Sequence, residues 1–475
     1  MGSFDLVVIG TGPAGQKAAV QAAKLGKKVA ICEKRQVVGG ACIHTGTIPS
    51  KTFREAVLYL TGFLHRDAYG AEYLARESIS IDDLLTRCTQ VVSRETEVIR
   101  DQLRRNGVTV LSGRAAFLDP HRISVEGAAG PSEVTGEFFV VAAGTSPVAP
   151  PGVQVDGETI ITSDGILGLK SIPRTMTVVG AGVVGVEYAS MFAALGVDVT
   201  LVDKRPRLLE FVDGEIAEAL AFKMRDMNCT LRFGEDVASV AAEKPGRAVA
   251  VLKSGKKIIS DLLLFSAGRT GATSELNLPA AGLAADGQGR LKVDEHYRTS
   301  VPNIFAAGDV IGFPSLASTS MEQGRIAACA AFGVPATSVP HLFPYGIYSI
   351  PEISMVGPNE EELTKQEIPY EVGIARYREI ARGAILGDAY GLLKLLFHRE
   401  NRKLLAVHII GSAATELVHI GQAVLTFGGA VDYFVENVFN YPTFAECYKV
   451  AALDGYNKIG PPSGKAMPPD TEGRK

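Results

Sequence analysis

The sequence predicts an α/β protein in which one strand–turn–helix–strand unit occurs twice, followed by a smaller α+β region. When the sequence is shifted against itself, the glycine turn at residues 10–15 aligns with the turn at 180–185. Each turn follows a short apolar run typical of a buried strand and precedes a helix-like segment. From about residue 343 the pattern changes to short alternating strands and one helix. These observations predict two Rossmann-like domains and a third, mixed domain.

The composition is that of a large globular protein and excludes several classes of partner. The chain has 475 residues, of which 46% are hydrophobic and 21% charged, so we expect about three domains. A net charge of −4 offers no basic surface for nucleic acid or anionic lipid. Six cysteines without C-x-x-C spacing indicate reduced thiols rather than metal ligands or disulfides. Because neither a leader nor a long apolar span is evident, we expect a cytoplasmic protein that binds no membrane and no metal.

Each glycine turn has the spacing that brings the pyrophosphate of a dinucleotide onto a helix N-terminus. The first glycine permits the tight turn, the second lets the backbone approach the phosphates, and the third lets the helix pack on the strand. Free amides and the positive end of the helix dipole then face the phosphates. The residues predicted to form the two turns are Gly10, Gly12, Pro13 and Gly15 in the first copy and Gly180, Gly182, Val183 and Gly185 in the second.

Each copy also carries an acidic residue where its second strand is predicted to end. Glu33, followed by Lys34, and Asp203 are in the position that accepts a hydrogen bond from a ribose hydroxyl. Two complete copies therefore predict two dinucleotide sites. At the second site Asp203 favours the 2′-hydroxyl of NAD. The cations that would instead receive the 2′-phosphate of NADP, or else form a solvated basic turn, are Lys204, Arg205 and Arg207.

The segment at residues 39–51, which reads GGACIHTGTIPSK, follows the first copy. It resembles G-G-x-C-x4-C-x-P-S-K, the redox-active disulfide motif of the pyridine nucleotide-disulfide oxidoreductases. Cys42 matches the first cysteine of that motif, whereas Thr47 takes the place of the second, so no disulfide can form between them. The resemblance implies FAD in the first dinucleotide site, and NAD(H) and NADP(H) in the second.

The same resemblance implies further contacts with FAD. The segment ending in Gly308 and Asp309 resembles the second FAD signature of the family, in which the aspartate holds a ribityl hydroxyl. A helix is expected over residues 321–332, and Ala317 matches a backbone donor to the pyrimidine edge of the flavin. Gly144 and Gly268 belong to segments that resemble the two crossing strands between domains. The remaining implied contacts are Gly40, Ala41, Cys42, Gly46, Thr47 and Ala115.

The resemblance also assigns the catalytic residues. Lys51 is implied to reach the N5 edge of the flavin, and Glu187 to keep that cation from being unpaired, because an ammonium there stabilises charge as hydride arrives. Thr47 occupies the position of the flavin-side cysteine. We expect Cys42 to pack beside FAD rather than act as a catalytic thiol. His44, in the same loop, either meets the flavin or is simply hydrogen-bonded.

A second departure from the family lies near the C-terminus. The family motif H-P-T-x-x-E supplies a histidine from the other subunit that protonates the leaving thiolate. Here the segment reads YPTFAE, so that Glu446 is retained and Tyr441 replaces the histidine. A tyrosine is a poor acid–base group for thiols at neutral pH. Two distant parts of the disulfide half-reaction are therefore missing together.

Four blocks, GTIPSK, GDVIGFPSLA, GIYSIPEIS and FNYPTFAE, together resemble the soluble, FAD-containing pyridine nucleotide transhydrogenases of the Si-specific type. The reaction implied is NADPH + NAD⁺ ⇌ NADP⁺ + NADH, with a role in cell redox homeostasis. A diaphorase or quinone reductase with the same flavin chemistry stays open. A non-catalytic flavin-bound sensor or scaffold also stays open, although Lys51 and Glu187 argue against it. A disulfide reductase is disfavoured by Thr47 and Tyr441.

The motifs divide the chain into four expected regions. An FAD-binding domain is expected in two segments, 1–148 and 276–342, with an NAD(P)-binding domain over 149–275 between them. A dimerisation domain is expected over 343–460 and implies a homodimer or a higher homo-oligomer. A disordered tail is expected over 461–475, which is rich in proline, glycine and charge. Within the dimerisation domain we expect strands at 346–357, 392–399 and 404–411 and a helix at 413–427.

Overall fold

The computed structural model describes residues 2–64, 69–70, 78–149, 152–244, 246–266, 268–336 and 342–459. The tail expected over residues 461–475 lies outside these ranges. All six cysteines are within them, and all six are free thiols, as their spacing predicts.

Both copies of the repeated unit fold as the glycine spacing predicts. The first consists of the strand Gly2–Ile9, the helix Pro13–Lys24 and the strand Val29–Glu33. The second consists of the strand Thr175–Val179, the helix Val183–Ala194 and the strand Asp198–Asp203. Glu33 and Asp203 are therefore the last residues of their strands. Each strand pair is parallel, and the run of β-branched residues from Val7 to Ile9 is buried on both faces because helices and strands cover it.

The first sheet has seven strands and combines residues from two distant parts of the sequence. The strand Ile304–Ala306 pairs in parallel with the end of the strand Gly130–Val141, next to the first repeat. From edge to edge the other strands are Thr109–Ser112, Val29–Glu33, Gly2–Ile9, Gly130–Val141, Arg122–Gly127 and Arg114–Asp119. A strand from the segment 276–342 thus completes the sheet of the first segment. The domain boundaries themselves stay predictions.

Helices cover this sheet and hold the loops of the site. The helix Ala317–Ala331 packs closely on Pro13–Lys24. The two helices are so close that a Cβ at Gly324 would collide with the carbonyl of Ala14, so only glycine fits there. The other helices of this part are Gly40–His44, Thr47–Thr61 and Ile81–Arg105. The last of these begins with a capping box in which Ser80 and Asp83 satisfy each other's backbone amides.

The second repeat lies in a five-stranded parallel sheet. Its strands from edge to edge are Thr230–Phe233, Asp198–Asp203, Thr175–Val179, Leu262–Phe265 and Ile160–Thr162. The helix Gly214–Asp226 and an antiparallel sheet accompany it, the latter formed by Val237–Lys244, Arg247–Leu252 and Lys257–Ser260. A two-stranded ladder, Thr145–Pro147 with Arg269–Gly271, joins the chain entering this region to the chain leaving it. Gly144 and Gly268 precede its two strands, as the resemblance implies.

The C-terminal region contains a five-stranded antiparallel sheet. From edge to edge its strands are Tyr345–Ile347, Ile353–Val356, Leu404–Ile410, Leu392–His398 and Tyr370–Arg376. The helices are Glu360–Lys365, Ala381–Leu386, Ala414–Thr426, Asp432–Glu436 and Glu446–Ile459. The last helix packs on the strand Tyr370–Arg376, where a Cβ at Gly373 would collide with the carbonyl of Ala451.

The structure corrects several element boundaries. The strand expected over 346–357 is two short strands that pair with each other as a hairpin, because the chain turns back between Ile347 and Ile353. The strand Tyr370–Arg376 was not predicted. The helix expected over 321–332 begins earlier, at Ala317, because Ala317–Ser320 continues the helical turns without an interrupting glycine or proline. The three remaining expectations, at 392–399, 404–411 and 413–427, agree with the structure to within a residue.

Candidate active site

One cavity of about 720 Å³ runs from the first glycine turn to the C-terminal sheet. Both repeats and the C-terminal region contribute to its walls. The sequence-predicted residues that line it are Gly10, Gly12, Pro13, Glu33, Lys34, Gly40, Ala41, Cys42, Gly46, Thr47, Lys51, Ala115, Gly144, Val183, Glu187, Gly308, Asp309 and Ala317. Those outside its walls are Gly15, Gly180, Gly182, Gly185, Asp203, Lys204, Arg205 and Gly268. Of these residues outside the walls, Gly15 belongs to the first glycine turn and Gly268 precedes a strand of the two-stranded ladder. The others belong to the second glycine turn or to the segment at its acidic strand end.

The first glycine turn is shaped to receive a ligand. Gly10 has a φ of 105°, a conformation that glycine adopts without strain. A Cβ at Gly15 would collide with the carbonyl of Gly10, so the third glycine permits close helix–strand packing rather than ligand contact. A Cβ at Gly12 would meet no atom within 4 Å, so the turn is open on that side. Glu33 accepts hydrogen bonds from the backbone and hydroxyl of Thr11, which ties the strand end to the turn.

The second glycine turn repeats this geometry. Gly180 has a φ of 110°, and a Cβ at Gly185 would collide with the carbonyl of Gly180. Asp203 accepts a hydrogen bond of 2.5 Å from the backbone amide of Ala181. The equivalent acids of the two repeats therefore bind equivalent turns. The same sequence pattern produces the same local structure twice.

The basic residues after Asp203 have different partners. Arg205 forms a bidentate ion pair with Asp203, with N–O distances of 2.9 and 2.6 Å. Burial raises the pKa of Asp203, but the hydrogen bonds from Arg205 and Ala181 outweigh burial and hold it below its ordinary value. Arg207 instead pairs with Glu361 at 3.0 Å. The side chain of Lys204 is exposed. Arg205 is therefore the cation that lies at the acidic strand end.

Lys51 and Glu187 form an ion pair that lines the cavity. The Lys51 Nζ lies 2.8 Å from each carboxylate oxygen of Glu187, whose side chain is only 4% exposed. Lys51 lies in the helix Thr47–Thr61, and Glu187 in the helix of the second repeat. The backbone amide of Tyr348 donates a third hydrogen bond to Glu187 at 2.9 Å. A buried carboxylate is thus fully paired with one cation and one amide.

Cys42 and Thr47 are in contact at the wall of the cavity. Burial raises the pKa of the Cys42 thiol, and a hydrogen bond with Thr47 offsets only part of this effect. Cys42 is therefore a protonated thiol at neutral pH, and such a thiol is a poor nucleophile. His44 does not line the cavity. One of its ring nitrogens lies 2.8 Å from the carbonyl of Val38, so the ring is hydrogen-bonded to the backbone of its own loop.

Asp309 also lines the cavity. Burial raises its pKa, although Arg269, Thr145 and Ser320 act against this shift. Arg269 donates to the hydroxyl of Thr145 at 2.8 Å and to its carbonyl at 2.9 Å, which fixes the two crossing strands together. The helix Ala317–Ala331 points its N-terminus into the same cavity, where free amides favour negative charge. This wall therefore offers an acceptor and a positive helix end.

The C-terminal segment implied to act on a second subunit is at the surface. Tyr441 is 73% exposed, and within the described residues one buried oxygen of Glu446 has no hydrogen-bond partner. Sequence reasoning did not assign roles to Tyr348, Arg269 or Thr11, although all three line the cavity. Thr11 lies inside the glycine turn and Arg269 follows Gly268, so their positions were a usable signal. Tyr348 lies in the block GIYSIPEIS, whose resemblance to the transhydrogenases gave this residue no particular role.

No helix in the described part of the chain is long and apolar enough to cross a bilayer. Two glycine turns at helix N-termini, each with an acid at the next strand end, define an α/β protein with two dinucleotide-binding units. The chain belongs to the pyridine nucleotide-disulphide oxidoreductase family: residues 4–324 match that family, and residues 343–452 match its dimerisation domain.

The chain is similar over nearly its whole length to several curated proteins. It is 56% identical to the soluble pyridine nucleotide transhydrogenase of Mycobacterium bovis (strain BCG / Pasteur 1173P2), over 97% of this chain and 98% of that protein. It is 44% identical to the protein of the same name from Colwellia psychrerythraea, over 96% of this chain and 98% of that one.

Solved structures of the same fold are also similar. LpdA from Mycobacterium tuberculosis superposes with a TM-score of 0.87 at 27% identity, covering 95% of this chain and 99% of that one. The HOCl-induced flavoprotein disulfide reductase RclA from Escherichia coli superposes with a TM-score of 0.85 at 26% identity, covering 94% and 99%.

Proposed function

We propose that this protein is an FAD-dependent transhydrogenase that moves hydride between NADPH and NAD⁺. The observation that carries the proposal is the Lys51–Glu187 ion pair in a cavity where Thr47 has replaced the second cysteine of the disulfide motif. The ion pair is thus retained, and the disulfide that would pass electrons to a sulfur substrate is absent. The full-length similarity to soluble transhydrogenases supports the same conclusion.

The cavity fits FAD. Its volume of about 720 Å³ is in the range of cofactor sites, and the first glycine turn leaves an open face at Gly12 that any side chain would fill. Gly10, Gly12, Pro13 and Glu33 would hold the adenosine and pyrophosphate half, together with Ala115. Asp309 and the amides of the helix starting at Ala317 would hold the flavin half. When bound, FAD accepts hydride from one nicotinamide and returns it to another.

Lys51 and Glu187 would act at the reacting edge of the flavin. The ammonium stabilises negative charge that develops there, and the carboxylate fixes its position. Val183 lines the cavity beside Glu187 and is a small side chain, so it leaves room for a nicotinamide against the flavin. Thr47 fills the space of a cysteine and supplies no thiolate. These residues therefore favour hydride exchange over disulfide reduction.

The second repeat would bind both nicotinamide nucleotides in turn. Asp203 would accept the ribose hydroxyls of NAD(H), and Arg205 would turn from Asp203 to the 2′-phosphate of NADP(H). We propose the Si-specific stereochemistry, as the resemblance implies, and because one pocket serves both nucleotides we expect the same nicotinamide face in both half-reactions. NADPH carrying deuterium on either face at C4 tests this point: only the 4S isomer should transfer its label to NAD⁺.

The C-terminal region supports a homodimer. Its surface exposes the large apolar side chains Phe427, Tyr433, Val438 and Tyr441, with exposed fractions from 45% to 93%. Contiguous apolar patches are typical of interaction surfaces, and these four side chains lie close together in the sequence. We propose a homodimer working in the cytoplasm, where six free cysteines would stay reduced.

The decisive experiment is anaerobic. The FAD-containing enzyme is bleached with one equivalent of NADPH, the NADP⁺ is removed, and NAD⁺ is added. Return of the oxidised flavin spectrum with formation of one equivalent of NADH is the expected result. If the bleached enzyme ignores NAD⁺ and its thio analogue but reduces quinones rapidly, the protein is a quinone reductase instead. Failure of NADPH and NADH to bleach the flavin would indicate the non-catalytic alternative.

A further inference from the structure

Tyr348 contacts both members of the Lys51–Glu187 pair. Its ring centroid lies 4.9 Å from the Lys51 Nζ, within the distance at which an aromatic face attracts a cation. Its backbone amide donates to Glu187 at 2.9 Å. Tyr348 directly follows the strand Tyr345–Ile347, so a loop of the C-terminal region lines the same cavity as Lys51 and Glu187. Lys51 therefore contacts both a carboxylate and an aromatic ring.

The loop that carries Tyr348 is held by a network that returns to the helix of Lys51. The Tyr348 ring and the methyl group of Thr415 both approach Gly346, and the backbone amide and hydroxyl of Thr415 donate to Glu352 at 3.2 Å. Glu352 pairs with Arg54 at 3.2 Å, both side chains being 8% exposed. Arg54 lies one helical turn after Lys51 and donates to the carbonyl of Ser349 at 2.9 Å. The loop that carries Tyr348 is thus bound to the helix that carries Lys51.

A second contact holds the same loop against the nucleotide-binding helix. The backbone amide of Ile350 donates to the hydroxyl of Ser190 at 3.0 Å, one helical turn after Glu187. The segment from Tyr348 to Ile350 therefore bonds to the helix of Lys51 and to the helix of Glu187. A flexible lysine side chain loses much rotamer freedom when it is held in one place, and these contacts supply the constraint.

We propose that Tyr348 is a positioning residue that holds the Lys51 ammonium in its working place within the cavity. The aromatic face and the Glu187 carboxylate together hold the ammonium, and the hydrogen bonds to the backbone at Ser349 and Ile350 hold the loop that carries the ring. The inference rests on the proposed function only in that Lys51 acts on a bound flavin. It does not depend on whether NAD⁺ or a quinone takes the electrons.

The test measures how fast NADPH bleaches the flavin under anaerobic conditions with no acceptor present. Tyr348→Leu removes the ring and should slow bleaching about tenfold, the size expected for losing one partly desolvated cation–aromatic contact. Tyr348→Phe keeps the ring and should retain the rate within about twofold. The Leu variant should also shift the flavin absorption spectrum toward that of Lys51→Met, because both displace the same ammonium.

A double-mutant cycle separates positioning from general structural damage. In a Lys51→Met background, Tyr348→Leu should slow bleaching no further, since the ammonium it positions is gone. An equal slowing in both backgrounds, or a wild-type rate and spectrum in Tyr348→Leu, would overturn the proposal. If the Leu variant does not fold with FAD, Tyr348→Met, which is unbranched and lacks an aromatic face, replaces it in the same cycle. Because no acceptor is present, failure of the transhydrogenase assignment leaves this result readable.

Discussion

The Lys51 ammonium lies 2.8 Å from both carboxylate oxygens of Glu187, although 136 positions separate the two residues in the chain. One residue ends the disulfide-like motif, in the helix Thr47–Thr61, and the other comes from the helix of the second repeat. The pair therefore forms only when the two dinucleotide-binding units pack together. A buried Glu187 without this cation would be an unpaired charge, which is strongly destabilising.

The first prediction concerns this pair. Lys51→Met should retain FAD but slow flavin bleaching by NADPH roughly 100-fold, the effect of removing one preorganised electrostatic contact. Stopped-flow absorbance at the flavin band measures the rate. Glu187→Gln is the matched variant: it keeps the shape and one acceptor for Lys51, and should slow bleaching by a smaller factor. An unchanged rate in Lys51→Met would remove Lys51 from the mechanism.

The second prediction concerns Thr47 and Cys42. The protein should turn over neither lipoamide nor glutathione disulfide, because Thr47 cannot form a disulfide and the raised pKa of Cys42 keeps it a protonated thiol at neutral pH. Cys42→Ser should accordingly leave NADPH-to-NAD⁺ transfer largely intact. NADPH consumption with each disulfide, in both proteins, gives the measurement. Disulfide turnover that survives in Cys42→Ser would show that the motif has been misinterpreted.

The third prediction separates two arginines that the sequence leaves equivalent. Arg205→Ala should raise the KM for NADPH roughly tenfold and that for NADH far less, since only NADPH carries a 2′-phosphate to form a charge-assisted hydrogen bond. Arg207→Ala is the control, because its guanidinium binds Glu361 and the carbonyl of Glu210, whereas that of Arg205 lies beside Gly182 of the second glycine turn. Asp203→Ala should mainly weaken NADH. Equal effects of the two arginine variants on NADPH would contradict this assignment.

The fourth prediction concerns a buried ion cluster between the second repeat and the C-terminal sheet. Lys394 is fully buried, and its Nζ lies 2.9 Å from Asp213 and 3.2 Å from Glu215, with Glu360 also in contact. The three carboxylates are close enough together to bind a cation, and the Lys394 ammonium lies among them. Lys394→Met should lower the unfolding free energy at neutral pH by about 3–5 kcal/mol, because it leaves the buried carboxylate of Asp213 without its cation.

The pH dependence of this effect has a definite sign. Burial raises the pKa of Asp213, but the nearby His408 together with the Lys394 ammonium and its hydrogen bond outweighs burial and holds the pKa below its ordinary value. A lowered native pKa contributes stability above the unfolded-state value, and this stability is lost as pH falls through the native value. The difference between wild type and Lys394→Met should therefore shrink in acid. Thermal unfolding at several pH values measures it, and a constant difference would count against the cluster.

Lys170→Met is the control for the cluster. Lys170 pairs with Glu158 at 2.7 Å, but the two side chains are 82% and 68% exposed. Exposed ion pairs contribute little because water and salt screen them. The unfolding temperature of Lys170→Met should stay close to that of the wild type at every pH. A loss comparable to that of Lys394→Met would mean that burial is not the reason for the larger effect.

Much of the fold follows from local patterns. The two glycine turns, their helices and the acids at the strand ends all occur where the spacing places them, because each unit folds from contiguous residues. The positive φ of Gly10 and Gly180 is a conformation that glycine adopts without strain, so the turns are visible in the sequence. The missing cysteine at Thr47 is also visible in the sequence, because the residues around it match the disulfide motif. Strand and helix ends were less predictable, as the early start at Ala317 illustrates.

Only the tertiary structure decided which groups the long charged and aromatic side chains contact. Arg205 and Arg207 are two positions apart, yet one binds Asp203 and the other binds Glu361 of the C-terminal region. The residues around Tyr348 in the sequence do not assign it a role, because the proposed role depends on Lys51 and Glu187 from two other parts of the chain. Local sequence fixes backbone shape through steric limits and hydrogen bonds between near neighbours. Ion pairs across domains depend on distances that only the packed chain sets.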